Sequence, residues 1–188
     1  PFSFQLKFFG NLGLLSYYLS RRYRHICKVN LSRCFPEKST NDIKKLSKEV
    51  FYYMGRGIAE ALATWKFSDK RFNNIKCEIH GLEDLQCLQR QEKGVMLFLG
   101  HFYPMELMAR KVFGKISTKL LYRKYSNSVF DQYVLSRRSR QFECIEKRKI
   151  KRAVVDLKNG ATLCYLPDQN ILENHCFEDF FNIPCSMP

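Results

Sequence analysis

Apolar residues recur along this chain with two different periods, and their alternation predicts helices and strands. From residue 43 to residue 67 they keep helical spacing, and helix-start residues precede them at 39–42. Farther on, the pattern predicts strands at 75–80, 95–99, 117–122, 142–146 and 161–166. It predicts helices at 104–113, 127–138 and 148–158, and a polar helix or loop at 83–91. The expected fold class is therefore α/β, in an α/β/α layered arrangement with a largely parallel central sheet.

The N-terminal segment differs from the rest. Residues 2–19 are rich in Phe, Leu and Tyr, but polar residues interrupt them, so the run falls short of the roughly 20 apolar residues that span a bilayer. A basic cluster follows at 21–28. Apolar and aromatic residues beside a basic patch are typical of a helix that lies at the surface of an anionic membrane. A core helix with a solvated charged end is the alternative.

The net charge of the chain limits the classes of molecule that it is expected to bind. Lys and Arg number 32 and Asp and Glu 18, which leaves a formal net charge of +14. Such an excess indicates an anionic partner, which is nucleic acid, acidic membrane lipid or a phosphorylated substrate. The eight cysteines form no Cys-x-x-Cys pattern. We therefore expect no metal site and no disulfide framework, but reduced thiols in a cytosol-facing protein.

The densest chemical signal is the stretch from Gly94 to Glu106. Its apolar run ends at Gly100, His101 follows at once, and Pro104 can open the next helix. A histidine at the carboxyl end of a strand lies where open α/β sheets bind their ligands. A carboxylate bonded to one imidazole nitrogen would fix the tautomer and make the other nitrogen a base. The spacing predicts His101 as that base with Glu106 as its acid; a histidine merely hydrogen-bonded in a turn is the alternative.

Three further blocks accompany this one in order. They are Asn30–Glu37 (Asn-Leu-Ser-Arg-Cys-Phe-Pro-Glu), Tyr122-Arg123 with Asn127, Asp131 and Arg138, and Leu166-Pro167-Asp168-Gln169 with Phe180-Phe181 and Pro184. Together the four blocks resemble the lipid A biosynthesis acyltransferases of Gram-negative bacteria, the lauroyl and myristoyl transferases. The resemblance runs over nearly the whole chain.

The resemblance implies an acyltransferase fold with N-terminal helices at the membrane. The implied reaction moves a fatty acyl chain from an acyl carrier protein thioester to a hydroxyl of a lipid A precursor, with His101 and Glu106 as the catalytic pair. Arg123, Arg138 and Asp168 are implied as substrate-binding residues, without a metal or other cofactor. The implied location is the cytoplasmic face of the inner membrane, with no nucleic-acid partner.

Some features depart from the family pattern. Asn170 follows the Pro-Asp-Gln block where an acid is usual, and Asn182 replaces a glycine that would allow positive φ. Family members are also longer, so we expect a membrane segment at 1–28 and a C-terminally truncated acyltransferase domain at 29–188. Three alternatives stay open: an acyltransferase acting on another glycolipid, a non-catalytic membrane protein, and a basic nucleic-acid-binding protein.

Overall fold

The structure, a computed structural model, describes residues 1–169 and 176–187. In chain order the helices are α1 (Phe2–Leu19), α2 (Arg21–Cys34), α3 (Thr40–Lys66), α4 (Asp69–Asn73), α5 (Leu82–Arg90), α6 (Met105–Phe113), α7 (Ser128–Arg138) and α8 (Ile150–Lys158). The strands are β1 (Val95–Phe98), β2 (Lys119–Tyr122), β3 (Glu143–Glu146), β4 (Thr162–Tyr165), β5 (Cys176–Phe180) and β6 (Ile183–Met187).

The chain divides into two compact units. The helical unit comprises Pro1–Phe67, Phe102–Glu106 and Gln169–Pro188. The sheet unit comprises Ser68–His101 and Leu107–Asp168. The predicted division into 1–28 and 29–188 was drawn by function rather than by compactness, and it stays a prediction.

Close approach of two backbones organises the helical unit. A Cβ atom added to Gly13 of α1 would lie 2.1 Å from the carbonyl oxygen of Phe51, and one added to Gly55 of α3 would lie 2.1 Å from that of Phe9. Only glycine fits at both positions, so α1 and α3 pack backbone against backbone. Tyr17 packs edge-on against Phe51 beside this contact, with ring centroids 5.4 Å apart.

The outer side of α1 carries an apolar stripe. Its members recur every three or four residues and are between 45% and 75% exposed: Phe4, Phe8, Leu12, Leu15 and Leu19. Within the described residues, no helix combines the length and the hydropathy that crossing a membrane requires. The exposed fractions of these five side chains make the stripe a surface feature of the helical unit.

The sheet unit confirms the predicted fold class. Its four strands are all parallel, in the order β1-β4-β2-β3. Neighbouring residues of a strand point to opposite faces. Leu120 and Cys164 pack against α5 and α6 on one face, and Leu121 and Leu163 pack with Ala153 of α8 on the other. Helices cover both faces, as parallel sheets require.

One predicted strand is wrong. Residues 76–79 have no regular secondary structure, and the short helix α4 ends just before them. Their neighbouring carbonyls bond to a side chain instead of a strand, because Lys111 Nζ donates to the carbonyl oxygens of Ile75 at 2.7 Å and Phe72 at 3.2 Å. The predicted helix at 148–158 also begins with a 3-10 turn at Lys147–Lys149 before α8.

The hairpin of β5 and β6 shows how asparagine takes the place of the family glycine at position 182. Phe181 and Asn182 connect the strands with φ values of 55° and 57°. Asparagine tolerates this left-handed conformation better than most residues that have a side chain. Phe181 packs edge-on against Phe35 at a centroid distance of 5.2 Å, which offsets part of its backbone strain. Asn170, the other departure, lies outside the described residues.

Substituting Gly13→Ala should lower the free energy of unfolding by about 1–3 kcal/mol, because the new methyl group meets a rigid backbone carbonyl. Urea denaturation followed by circular dichroism measures this. Gly10→Ala is the matched control on the same helix, since its Cβ would meet only the rotatable ring of Tyr52, at 2.5 Å. Equal losses in the two variants would contradict the backbone-contact explanation.

Candidate functional site

The pairing of β1 with β4 brings two sequence-distant residues to one edge of the sheet. Phe98 and Tyr165 lie opposite each other at the ends of these parallel strands. The ladder continues one step farther, where the N–H of Leu99 donates to the carbonyl oxygen of Tyr165 at 2.9 Å. His101 and Asp168 each follow three residues after the paired strand ends. Because the two strands are paired and both residues lie three positions beyond the last pair, their side chains come together.

Asp168 holds both the backbone and the ring of His101. Its Oδ2 accepts the backbone N–H of His101 at 2.6 Å, and its Oδ1 lies 2.5 Å from Nδ1 of the same residue. A carboxylate only accepts hydrogen bonds, so in the neutral imidazole Nδ1 carries the proton and Nε2 is the acceptor. The two side chains are 35% and 30% exposed, which leaves Nε2 within reach of solvent or a substrate.

The electrostatics favour a charged carboxylate in this pair. Partial burial of Asp168 opposes its ionisation, but the hydrogen bonds and the charge of His101 outweigh that effect and lower the pKa of Asp168 below its usual value. The carboxylate thus remains ionised well below neutral pH. Any stability that the pair contributes is present at neutral pH and is lost only as the pH falls through that lowered pKa.

Glu106 accepts a hydrogen bond from the helical unit. It lies in the first turn of α6, and its Oε2 accepts the indole N–H of Trp65 at 3.2 Å. The turn before it rests on α3, because a Cβ added to Gly57 would lie 2.9 Å from Cβ of Tyr103. Helix α3 therefore positions the turn that carries Glu106. The predicted pairing of Glu106 with His101 stays a prediction.

The two predicted substrate-binding arginines lie in different environments. Arg123 is exposed directly after β2, which neighbours β4, so it lies at the same sheet edge as Asp168. Arg138 ends α7 and is only 7% exposed. Burial raises the pKa of nearby Tyr122, the charge of Asp131 adds to the shift, and the charge of Arg138 opposes it. Arg138 thus belongs, with Asp131, to a buried polar group near Tyr122 and is not exposed at the sheet edge.

Asp131 and the start of α7 support that buried group. Asn127 caps the helix, since its Oδ1 accepts the N–H of Phe130 at 2.9 Å. Asp131 accepts the N–H of Tyr125 at 2.9 Å and thereby fixes the loop that follows β2. Sequence reasoning singled out both residues only through the family blocks, and the structure gives them roles in local folding.

Comparison with known proteins gives the family of the chain. The family model for bacterial lipid A biosynthesis acyltransferases matches residues 1–188. The chain belongs to this family. It is 31% identical over 161 residues to the lipid A biosynthesis lauroyltransferase of Escherichia coli K12, which covers 85% of this chain and 52% of the relative. It is 29% identical over 175 residues to the palmitoleoyltransferase of the same strain, covering 92% and 56%.

A third relative extends the match. The chain is 25% identical over 186 residues to the lipid A biosynthesis myristoyltransferase of Escherichia coli K12, which covers 96% of this chain and 57% of that protein. The chain spans little more than half the length of these family members.

Within the described residues, no cluster of three or more His, Cys, Asp or Glu side chains is placed to hold a metal ion. All eight cysteines are free thiols.

The substitution Asp168→Asn should reverse the imidazole tautomer of His101. The backbone N–H of His101 would keep the amide oxygen at the Oδ2 position, so the amide NH₂ would face Nδ1 and force it to accept. We expect ¹⁵N NMR of labelled histidine to show a protonated Nδ1 in the wild type and a protonated Nε2 in the variant. The exposed His80 serves as the internal reference. An unchanged tautomer would contradict the assigned geometry.

Proposed function

We propose that the protein transfers a fatty acyl chain from an acyl carrier protein thioester to a hydroxyl of a lipid A precursor. Two findings support this: membership of the lipid A acyltransferase family, and the exposed His101 held by Asp168 at the edge of the sheet. The second carries the proposal, because Nδ1 faces the carboxylate and Nε2 is the ring nitrogen left to accept a proton.

The reaction then needs no protein nucleophile. His101 Nε2 removes the proton of the acceptor hydroxyl while its oxygen attacks the thioester carbonyl. A carbon–oxygen bond forms, the carbon–sulfur bond breaks, and the departing thiolate takes the proton back from the imidazolium. Asp168 stabilises that imidazolium across the 2.5 Å contact with Nδ1. General-base catalysis of this kind typically accelerates a reaction by about 10²–10⁴.

The remaining predicted residues have supporting roles in this proposal. Arg123 binds an anionic group of a substrate, because it is exposed at the reacting edge and its planar guanidinium suits carboxylate as well as phosphate. Arg138 acts from behind the edge by holding the buried group around Tyr122 in place. Glu106 contributes a negative charge whose position Trp65 fixes through its indole N–H.

The helical unit suggests where the reaction takes place. The apolar stripe of α1 is exposed and polar residues interrupt its helix, as in helices that lie flat at a bilayer surface. Arg21 and Arg22, both exposed, begin α2 directly after it. Anionic lipid headgroups attract such residues. We therefore place the protein at the cytoplasmic face of the inner membrane, where a lipid acceptor would be reached from the bilayer.

The variant His101→Gln should reduce turnover by about 10²–10⁴ and leave the circular dichroism spectrum unchanged, because only the base is lost. The assay uses the purified full-length protein, acyl carrier protein thioester and lipid A precursor, with products separated by thin-layer chromatography. His80→Gln changes a solvent-exposed histidine that the proposal gives no role, and it should retain activity. Turnover near the wild-type rate in His101→Gln would refute the assignment.

Glu106→Gln separates the charge of this residue from its hydrogen bond. The amide oxygen can still accept the Trp65 indole N–H, so the fold is kept while the negative charge is lost. We expect kcat to fall by at least about tenfold if that charge assists catalysis. Trp65→Phe keeps the charge but removes the indole hydrogen bond, and it should lower kcat less. Glu83→Gln, in the first turn of α5, is the matched control. Full activity in Glu106→Gln would remove Glu106 from the mechanism.

A further inference from the structure

Basic residues follow both strands on one side of the sheet edge that carries His101. Arg123 and Lys124 come directly after β2, and the 3-10 turn Lys147–Lys149 comes directly after β3. All five residues are exposed. We call these five residues the basic edge. Because the four strands are parallel, their carboxyl ends lie together, and the basic edge shares a rim with His101 and Asp168.

The pairing of charges differs between the two ends of the sheet. Toward the amino ends, Lys119 pairs with Asp156 at 2.7 Å and with Glu143 at 3.4 Å, and Arg152 also pairs with Glu143. On the basic edge only Arg148 has an ion-pair partner in the described part of the chain, and that contact, to Glu146, is 3.9 Å long. Neighbouring cations without counter-charges repel one another, which favours an external anion.

The strand order determines the order in which the basic edge and the residues His101 and Asp168 follow one another across the sheet. Crossing the sheet from β1 through β4 and β2 to β3, the rim carries His101, then Asp168, then Arg123 with Lys124, and finally the turn Lys147–Lys149. Adjacent strands are about 4.8 Å apart, so the rim from β1 to β3 is roughly 14 Å wide. A helix rises about 5.4 Å per turn. Acidic residues one turn apart on a partner helix would therefore match the cations at successive strand ends.

We propose that the basic edge is the docking surface for an acidic acyl carrier protein, which delivers its thioester along the rim to His101. This inference rests on the proposed function and names the surface that its donor uses. The thioester is carried on a flexible arm, so the carrier must dock beside the base and leave the base itself open. The basic edge begins one strand beyond Asp168, which meets that requirement.

The distribution of charge favours a protein over a lipid phosphate. A phosphate is compact, and binding sites for it usually converge several donors, often backbone N–H groups, on one point. The five cations instead belong to two separate exposed segments, one after β2 and one after β3. Exposed charges on separate segments suit an extended anionic surface, and charge complementarity of this kind mainly speeds association.

The test reverses the charge of the turn in the full-length protein, with the variant Lys147→Glu, Arg148→Glu, Lys149→Glu. The matched control reverses three exposed lysines toward the amino ends of the strands, Lys93→Glu, Lys115→Glu and Lys158→Glu, with the same change in net charge. We expect the turn variant to raise KM for the carrier-protein thioester on the order of tenfold or more, with little change in kcat. The control should change KM far less.

Two further measurements separate docking from chemistry. A thioester of pantetheine alone, without the protein, should be used equally by the wild type and the turn variant. Binding of acyl carrier protein, measured by interferometry without acceptor, should be weakened by salt in the wild type and lost in the variant. That binding tests the docking surface even if turnover, and with it the proposed function, fails.

Three results would overturn the proposal. One is unchanged KM and unchanged carrier binding in the turn variant. The second is an equal effect in the control variant, which would show a general response to net charge. The third is a rise in KM for the lipid acceptor with carrier binding intact, which would assign the basic edge to a lipid phosphate instead.

Discussion

The parallel pairing of β1 with β4 is the interaction on which the site depends. His101 and Asp168 are separated by 67 residues in sequence, and they meet because Phe98 and Tyr165 are opposed in the register. A slip of one residue would turn every side chain of a strand to the opposite face and would offset the two strand ends. The register is fixed in turn by the residues of β4 that are buried on both faces, Thr162, Leu163 and Cys164.

The core around this strand also determines what chemistry is available. Burial raises the pKa of the Cys164 thiol to about 12, so this cysteine is a packing residue and not a nucleophile. The reactive groups lie instead just beyond the strand ends, where backbone donors and solvent are both present. The buried core thus fixes the positions of the strands, and the ligand-binding residues lie at the open carboxyl ends of the strands, as is common in α/β proteins.

Local patterns in the sequence were enough to predict most elements of the sheet unit. The runs at 95–99, 117–122, 142–146 and 161–166 correspond to β1, β2, β3 and β4. The strand predicted at 75–80 is wrong because an apolar pattern does not show whether a partner strand exists. Here Lys111 binds the neighbouring carbonyl oxygens instead. Asn182, which replaces a family glycine, has a positive φ.

The contact between His101 and Asp168 could not be predicted from sequence in the same way. Asp168 becomes a neighbour of His101 only once the strand order β1-β4-β2-β3 is known, whereas Glu106 lies five residues away in the same block, and its pairing with His101 stays a prediction. The family blocks marked Asp168 without showing its contact. The one available signal was its position three residues after a predicted strand, which matches that of His101.

The contact between Trp65 and Glu106 has a practical consequence. Trp65 is the chain's single tryptophan, and its indole nitrogen is bonded to an acid of the block that also contains His101. Indole emission depends on the charge and hydration of such neighbours. In this chain the tryptophan fluorescence therefore comes from one known position, and its emission wavelength and lifetime report on the turn carrying Glu106 without any attached dye.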